Sequence, residues 1–334
     1  MKKALLLVNV GTPDKPEVRY VRKYLFEFLN DRRVIDLPWL PQKLLVNGII
    51  VPFRAPKSTK LYRQLWTGEG SPLLVNLNKL VDDLQFMLSR NYKVYGAMRY
   101  GNPSLNEVLQ EIKDNHNEEI TVLPLYPHYA SSTTGSVHEY IMTRIRKWNV
   151  MPRLHFIDQF YSHPGFIEAF VNRIKDYGPE DYDYVLFSYH GLPVRQINKV
   201  HPRVEYASCK CSKEMPEHGK FCYKATCYET TRILAEQLSL QENEYSTAFQ
   251  SRLNNKWLEP FSDRVIKDLG KKGIKKLLVV APAFVSDCLE TTIEIGYEYD
   301  ILFRKNGGEE LTLVESLNDF DDWVNIIPKI IKDK

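Results

Sequence analysis

The chain has 334 residues, of which 43% are apolar, enough for one large or two ordinary domains, and this composition excludes a disordered chain. Its 45 Lys and Arg residues against 42 Asp and Glu residues give a net charge of +3. This balance is unlike that of nucleic-acid-binding proteins, so we expect no nucleic-acid partner.

The amino-terminal stretch 1–10 resembles a signal peptide, but Asn9 interrupts its short apolar run. Gly11-Thr12-Pro13 follows it instead of a cleavage site of small residues, so we interpret it as the first strand. No apolar run in the sequence has the length of a membrane-spanning helix. The sequence therefore predicts a cytoplasmic protein whose five cysteines are reduced or metal-bound rather than paired in disulfides.

Short apolar segments, typical of buried strands, alternate with helical patterns along the whole chain. The predicted strands cover 4–10, 93–98, 120–125, 154–157, 184–189, 246–250, 277–285 and 311–314. This alternation is typical of α/β proteins with parallel sheets. We predict two successive, similar domains of four strands each, with a boundary near 150–165.

A proline-interrupted apolar segment lies at 38–53. The basic residues in and around it are Arg32, Arg33, Lys43, Arg54, Lys57 and Lys60. Two interpretations are open: a buried helical hairpin, or an exposed lip that docks on a bilayer with its basic residues facing anionic headgroups.

Two further positions in this half are notable. Ser71 is a predicted helix N-cap, with Pro72 in the first turn. Arg99 follows the strand 93–98 and is a binding-site candidate, although a surface ion pair would explain it equally well.

His190 is the first candidate catalytic residue. It follows the apolar run 184–187, within Phe187-Ser188-Tyr189-His190-Gly191-Leu192-Pro193, and so lies at the carboxyl end of a predicted parallel strand. Ligands of open α/β sheets bind at that edge. A hydrogen-bonded turn histidine is the alternative interpretation.

Acidic residues begin after the strand 277–285. Glu290, Glu294 and Glu298 follow at intervals of four, on one face of a predicted helix that begins at residue 291. A solvated acidic face is one explanation, and a path that leads a divalent cation inward is another. Imidazole and carboxylate together suit Fe²⁺ or Zn²⁺, and they also suit general-base catalysis near neutral pH.

Several motifs together resemble the ferrochelatase family, in the family's order and over nearly the whole chain. They are NVGTP (9–13), YRQLWTGEGSPL (62–73), MRYG (98–101), YPHYASSTTGS (126–136), FSYHGLP (187–193), FQSR (249–252) with Trp257, and AFVSDCLETTIEI (283–295).

The resemblance implies two Rossmann-like domains of the chelatase type, each with a four-stranded parallel sheet flanked by helices, and a porphyrin cleft between them. The domains would cover 1–157 and 158–315, the second with a cysteine-rich insertion near 200–228. A helix within 316–334 could return to the first domain. The implied activity is insertion of Fe²⁺, as a substrate, into protoporphyrin IX, the last step of haem synthesis.

The family's site residues carry over by position. His190 matches the catalytic histidine and Glu290 its acidic partner, and these two are the usual metal ligands; Glu294 and Glu298 could relay protons or metal. The positions that match the porphyrin pocket are Val10, Tyr62, Ser71, Arg99, Tyr126 and Trp257. Members that act on coproporphyrin tend to carry Tyr at the position of Val10, so this residue favours protoporphyrin.

The segment 38–53 resembles the membrane-facing lip of membrane-associated members, which implies peripheral contact with the inner membrane. The sequence leaves the oligomeric state open. Two other functions also remain: a chelatase for another metal or tetrapyrrole, and a non-catalytic porphyrin carrier.

Four of the five cysteines lie close together in the insertion. Cys209, Cys211, Cys222 and Cys227 follow the spacing C-x-C-x₁₀-C-x₄-C. Four thiolates suit a [2Fe–2S] cluster, which some ferrochelatases carry, or structural Zn²⁺. Reduced surface thiols are the third interpretation.

Overall fold

The structure, a computed structural model, describes residues 2–201, 204 and 206–333, with Ala207 described by its backbone alone. The chain divides into two compact units. Unit 1 comprises Met1–Tyr126, Ala130–Gln159 and Asn318–Lys334, and unit 2 comprises Pro127–Tyr129 and Phe160–Leu317.

Unit 1 contains a parallel sheet with the strand order β2-β1-β3-β4. Its strands are β1 (Lys3–Thr12), β2 (Lys93–Gly101), β3 (Glu119–Pro124) and β4 (Arg153–Phe156). In the central strand, Leu6 pairs with Tyr95 on one side and with Val122 on the other. Consecutive residues of β1 are fully buried because an inner strand of a parallel sheet is covered on both faces.

Unit 2 repeats this arrangement with the strand order β6-β5-β7-β8. Its strands are β5 (Tyr184–His190), β6 (Tyr245–Gln250), β7 (Lys276–Val280) and β8 (Glu310–Leu313). Leu186 of β5 pairs with Ser246 and with Val279. In each sheet the strand order reverses beside the first strand of the unit, at the point where open α/β sheets bind ligands. Thr12 and His190 are the last residues of these two strands.

The helices are numbered along the whole chain. They are α1 (Val18–Leu29), α2 (Trp39–Leu45), α3 (Val51–Leu65), α4 (Pro72–Leu88), α5 (Leu105–Asp114), α6 (Thr134–Ile145), α7 (Pro164–Lys175), α8 (Val194–Val200), α9 (Tyr223–Gln237), α10 (Ser262–Lys271), α11 (Asp300–Lys305) and α12 (Asp321–Ile330). Two π-helical segments, Val46–Ile50 and Leu289–Tyr299, precede α3 and α11. Next to α12, Asn76 of α4 donates a hydrogen bond to Asn318 at 2.8 Å.

The predicted fold class is confirmed: the eight predicted strands form two four-stranded parallel sheets. The strand predicted over 277–285 was too long, because β7 ends at Val280. Pro282 has no amide hydrogen for the ladder, and Phe284 donates its amide to the Ala281 carbonyl at 3.0 Å in a turn. The helix predicted from residue 291 was also wrong in type, because residues 289–299 form a π-helix with i→i+5 hydrogen bonding.

The apolar segment 38–53 is helical and exposed. The helix α2, the first π-helical segment and α3 follow one another without a break from Trp39 to Leu65. Trp39 is 65% exposed and Phe53 is 72% exposed. The other exposed large apolar side chains are Leu40, Leu44, Leu45 and Ile49. The buried hairpin is therefore the wrong interpretation of this segment.

In the described part of the chain, none of the helices combines the length and the hydropathy needed to cross a bilayer.

Candidate active site

The carboxyl end of β5 holds the imidazole of His190 in a defined orientation. Nδ1 lies 2.7 Å from the carbonyl oxygen of Gly191, and because a carbonyl only accepts, this nitrogen carries the hydrogen. Nε2 is then left with its lone pair, as in a histidine that binds a metal or accepts a proton. The Tyr223 hydroxyl donates to the His190 carbonyl at 2.9 Å and holds the backbone at the same point.

Close packing explains the glycine at position 191. A Cβ there would lie 2.8 Å from the Gln250 carbonyl oxygen and 3.3 Å from Cε3 of Trp257. The Gly191 amide instead donates to that carbonyl at 2.8 Å. The rings of Trp257 and Phe284 lie 6.3 Å and 6.4 Å from the imidazole, centroid to centroid, so the histidine has aromatic neighbours.

Glu290 is the second residue of the π-helical segment Leu289–Tyr299 and is half-buried. Gln250, the last residue of β6, links it to His190. The Gln250 backbone pairs with His190, and its Nε2 donates to the Glu290 carbonyl oxygen at 2.8 Å. One buried side chain therefore ties the end of β5 to the start of the π-helix. That the His190 imidazole and the Glu290 carboxylate act as a pair stays a prediction.

Glu294 is surrounded by hydrogen-bond donors. The Ser251 amide and the Tyr299 hydroxyl both donate to Oε1 at 2.8 Å, and the Ser251 hydroxyl donates to Oε2. Ser251 has a φ of +60°, a backbone conformation that non-glycine residues seldom adopt. The carboxylate lines a depression of about 330 Å³ whose other lining residues are Ser251, Arg252, Leu253, Asp263 and Tyr299.

Glu298 lies further along the π-helix. Burial, and then the negative charge of Glu294, raise the pKa of the Glu298 carboxyl. Glu298 is thus poised to hold a proton at a higher pH than an ordinary glutamate.

Residues that sequence reasoning did not single out hold this arrangement together, Gln250 above all. Besides its bonds to the π-helix, its Oε1 accepts from the Ser188 hydroxyl at 2.8 Å, and Gln250 is almost fully buried. The motif at 249–252 contained Gln250, but its partners are 40 and 62 residues away. Only the folded chain reveals them.

We expect Gln250→Leu to lower the free energy of unfolding by about 1–3 kcal/mol, because in the interior it removes the acceptor of the Ser188 hydroxyl and the donor to the Glu290 carbonyl. Urea unfolding at neutral pH measures this. Gln237→Leu, on the exposed face of α9, is the matched control and should change stability by no more than about 0.5 kcal/mol. Equal effects of the two substitutions would contradict the role of Gln250.

Two predicted substrate contacts of unit 1, Val10 and Ser71, lie at the end of β1, and a third, Tyr62, packs against α1. Val10 precedes Gly11, whose φ of +119° and close approach to the Tyr100 carbonyl require glycine. Ser71 stands at the N-cap of α4 as predicted, but its side chain caps nothing; its hydroxyl lies 2.8 Å from that of Thr12. Tyr62 is buried, with its ring edge-on against that of Tyr24. The side chains of Ser71 and Tyr62 therefore already have partners within unit 1.

Arg99 forms a largely buried ion pair rather than a surface one. Its guanidinium donates to Asp31 at 2.6 Å and to the Ser136 hydroxyl at 2.8 Å, and it stacks on Tyr140. Tyr126 follows β3, and burial raises the pKa of its hydroxyl well above the usual value. Whether either residue touches a substrate stays a prediction.

The four clustered cysteines are free thiols in unit 2, with Cys211, Cys222 and Cys227 buried and Cys209 half-buried. Burial raises the pKa of the Cys211 thiol to about 12. Among the residues that the structure describes, no three His, Cys, Asp or Glu side chains are arranged to hold a metal ion. Two histidines outside the prediction, His201 and His218, lie against Cys222 and Cys209.

His128 lies in the aromatic packing behind the end of β5. Its Nε2 is 2.9 Å from the Thr230 hydroxyl, and its ring meets that of Tyr223 edge-on. Burial lowers its pKa from 6.5 to about 3, so the folded protein holds it neutral.

This neutral histidine gives a stability prediction. Below pH 6.5 the unfolded chain protonates the residue and the folded chain does not, so stability falls until the pH nears the folded pKa of about 3. Between pH 7 and pH 5 the contribution is about 2 kcal/mol. His128→Phe should remove that part of the pH dependence in urea unfolding, and His116→Asn, at an exposed position, should retain it. Parallel pH profiles for all three proteins would contradict the assignment.

The family model and the similar proteins found by sequence comparison carry the same description. A family model described as Ferrochelatase matches residues 2–334. A ferrochelatase of Legionella pneumophila (strain Lens) is 41% identical over the full length of both chains. A ferrochelatase of Coxiella burnetii (strain Dugway 5J108-111) is 42% identical and aligns over 99% of this chain and 93% of that protein.

Two solved structures share the fold. SirB from Bacillus subtilis with Fe³⁺ superposes with a TM-score of 0.57 at 13% identity, covering 100% of this chain and 95% of the other. CbiX, described as the terminal enzyme for biosynthesis of sirohaem in denitrifying bacteria, superposes with a TM-score of 0.51 at 12% identity, covering 99% and 98%. These likenesses identify the architecture alone.

Proposed function

The chain belongs to the ferrochelatase family, and from this premise we infer that it is a lyase that inserts Fe²⁺ into protoporphyrin IX. The product is protohaem, and the reaction is the final step of haem biosynthesis. The observation that carries this conclusion is the match of the whole chain to family members at about two-fifths identity. The orientation of the His190 imidazole agrees with it.

The reaction defines what the site has to do. Two pyrrole N–H protons leave the macrocycle, Fe²⁺ binds the four ring nitrogens, and the charge balances because a dication replaces two protons. We propose that His190 serves as proton acceptor and as a ligand of the incoming iron. The hydrogen bond from Nδ1 of His190 to the Gly191 carbonyl supports this proposal, because it leaves Nε2 free to accept a proton or bind the metal.

We propose that Glu290 is the acidic partner, since imidazole and carboxylate together suit Fe²⁺. Glu294 and Glu298 would then relay protons or metal between this pair and solvent. Two observations support the relay. Donors hold the Glu294 carboxylate in place, and the raised pKa of Glu298 lets that group hold a proton at a higher pH than an ordinary glutamate does.

The proposed porphyrin contacts are Val10, Tyr62, Ser71, Arg99, Tyr126 and Trp257. Aromatic rings suit a planar apolar ligand. Trp257 has the strongest support in the structure, because its ring lies 6.3 Å from the catalytic imidazole. The matched family position of Val10 favours protoporphyrin over coproporphyrin.

An absorbance assay of metal insertion tests the activity and the substrate together. Fe²⁺ with protoporphyrin should turn over faster than Fe²⁺ with coproporphyrin. Co²⁺ and Zn²⁺ in place of Fe²⁺ measure the metal preference. Tight porphyrin binding with no turnover for any metal would indicate a carrier instead, and faster coproporphyrin turnover would overturn the substrate assignment.

We also propose that the insertion binds an inorganic centre through Cys209, Cys211, Cys222 and Cys227, either a [2Fe–2S] cluster or structural Zn²⁺. Thiolate is the preferred ligand of both. The closeness of the thiols supports this: all four lie within nineteen residues, and Cys211 is hydrogen-bonded to Cys209 and interacts with Cys222. Brown protein that loses its visible absorbance in Cys222→Ser would identify the cluster, and colourless protein with stoichiometric zinc would identify zinc.

Finally, we propose that the exposed lip at 38–53 makes peripheral contact with a membrane. Its large apolar side chains are exposed beside Arg54, Lys57 and Lys60, which are also exposed. Apolar insertion combined with basic residues near the headgroups is the usual basis of such binding.

Trp39→Glu should weaken this binding, because it places a charge where the proposed lip enters the bilayer. Flotation with liposomes that contain anionic lipid measures the bound fraction, which should fall severalfold. Phe86→Glu is the matched control: Phe86 is 87% exposed on α4 and lies outside the lip. If both variants, or neither, lose binding, the lip is not the contact surface.

A further inference from the structure

The side chain of Asp31 lies at the centre of a hydrogen-bond cluster in unit 1. Its Oδ2 accepts hydrogen bonds from Nη2 of Arg99 at 2.6 Å, from the Ser136 hydroxyl at 2.6 Å and from the Tyr100 hydroxyl at 2.8 Å. Its Oδ1 accepts from the Arg33 amide at 2.7 Å. The side chain of Asp31 is only 9% exposed, so protein donors rather than water hold this carboxylate in place.

The same cluster fixes the orientation of Arg99. Nε of Arg99 donates to the Ser136 hydroxyl at 2.8 Å, and Nη2 donates to Asp31. These two nitrogens form the side edge of the planar guanidinium. The rings of Tyr100 and Tyr140 also lie against it, with their centroids 4.6 Å and 4.4 Å from Cζ. Arg99 is therefore held by one edge and by two aromatic rings.

The end edge of the same guanidinium is left for a ligand. It carries the hydrogens of Nη1 and the second hydrogen of Nη2, and Nη1 makes no hydrogen bond to any residue that the structure describes. The Arg99 side chain is 14% exposed, so a ligand can reach it. Two parallel N–H groups on a planar fork match the two oxygens of a carboxylate.

A second proposed porphyrin contact, Tyr126, lies near Arg99. Burial raises the pKa of the Tyr126 hydroxyl, and the positive charge of Arg99 acts in the opposite direction. A charge acts on another group in this way only at short range. Protoporphyrin IX carries two propionate side chains, and these are the carboxylates that an arginine beside the macrocycle would bind.

We propose that Asp31 is a positioning residue for porphyrin binding: it holds Arg99 so that the end edge of the guanidinium binds a carboxylate side chain of the macrocycle. The inference rests on the proposed function, because it takes a porphyrin as the ligand. Asp31 does not touch the porphyrin and acts through Arg99. The arginine side chain is long and has several rotatable bonds, so a fixed partner is needed to present one edge of it.

The backbone of Asp31 has a separate role, because it joins the lip to this cluster. Its carbonyl oxygen accepts from Nε2 of Gln42 at 3.2 Å, and Gln42 is a fully buried residue of α2. A substitution of the carboxylate alone leaves this bond in place. Asp31→Asn therefore changes the support of Arg99 without detaching the lip.

The test compares the binding of protoporphyrin IX with that of its dimethyl ester, which has no carboxylate. Quenching of porphyrin fluorescence, in one detergent for both, gives the two dissociation constants. The wild type should bind the diacid more tightly than the ester. Asp31→Asn should weaken binding of the diacid about tenfold and leave binding of the ester unchanged. The KM for the diacid should rise in proportion, and kcat should change little.

A double substitution shows whether Asp31 acts through Arg99. Arg99→Lys keeps a cation beside Asp31 but has no planar fork, so it should also weaken binding of the diacid. Adding Asp31→Asn to Arg99→Lys should then have little further effect, because the two residues act as a unit. Glu139→Gln is the matched control. Glu139 is exposed and forms a neighbouring ion pair with Arg33, and its substitution should leave both dissociation constants unchanged.

Three results for Asp31→Asn would overturn the proposal. Equal weakening of diacid and ester binding would indicate a purely structural role. Tighter binding of the diacid would show that the carboxylate only offsets the charge of Arg99, and unchanged binding would show that Arg99 needs no support. A wild type that binds diacid and ester equally would also overturn it.

Ser136→Ala keeps the inference testable if Asp31→Asn does not fold. It removes the acceptor of Nε, leaves the ion pair between Arg99 and Asp31, and should weaken diacid binding less than tenfold with no change for the ester. Unchanged diacid binding in this variant would count against the proposal. Because binding is measured without turnover, a wild type that prefers the diacid and inserts no iron would contradict the proposed function alone.

Discussion

Replacing His190 with alanine should lower kcat for iron insertion by roughly 10²–10⁴-fold, the usual contribution of a positioned general base. Nε2 is the nitrogen that can accept a pyrrole proton, because Nδ1 is engaged by the Gly191 carbonyl. Alanine removes the acceptor without adding bulk beside Trp257. Porphyrin binding, measured by quenching of porphyrin fluorescence, should change much less than kcat.

A matched control separates loss of catalysis from loss of a histidine in general. His116→Asn changes an exposed histidine with a φ of +54°, a conformation that asparagine tolerates well. It should retain wild-type kcat. Turnover by His190→Ala within a few fold of the wild type, or an equal loss in the control, would contradict the assignment of His190.

The second large effect is expected from Glu290→Gln, which keeps the size of the side chain and removes its charge. If the carboxylate is a ligand of incoming Fe²⁺, its loss should raise the KM for Fe²⁺ by about 10–100-fold, and the KM for porphyrin should change little. Initial rates over a matrix of iron and porphyrin concentrations separate the two constants. The link from Gln250 goes to the Glu290 backbone carbonyl, so the substitution leaves that bond intact.

Glu242→Gln, at an exposed position in the same unit, is the control and should leave both KM values unchanged. A wild-type KM for iron in Glu290→Gln would remove this residue from the metal path. A raised KM for porphyrin alone would instead indicate that Glu290 contacts the macrocycle.

Local patterns were sufficient for the architecture. Runs such as Leu5–Val8 and Val185–Phe187 are buried on both faces, and only strands inside a parallel sheet need that composition. The same patterns placed His190 at a strand end. They gave the wrong limit for β7, where the missing amide hydrogen of Pro282 already disfavours a longer strand. They also gave the wrong type for the helix at 289–299, because a helical pattern of side chains does not distinguish an α-helix from a π-helix.

The sequence alone did not predict which side chains contact each other when they are far apart in the chain. Ser71 has the sequence of a capping residue, yet its hydroxyl lies against Thr12, 59 residues away. Arg99 could equally have been a surface residue, and the fold instead buries it against Asp31. The spacing of the cysteines gave no indication of His201 and His218, whose ring nitrogens face Cys222 and Cys209 in the folded protein.

By itself, the sequence determined the α/β class, the two sheets, the family, and the position of His190 at the end of a strand. These follow from burial and from motif residues, which act over a few neighbouring positions. Only the tertiary structure decided which nitrogen of His190 is free, that Gln250 joins β5 to the π-helix, that the lip is exposed, and which histidines face the thiols. Each of these depends on contacts between segments that are distant in the chain, and their geometry exists only once the chain has folded.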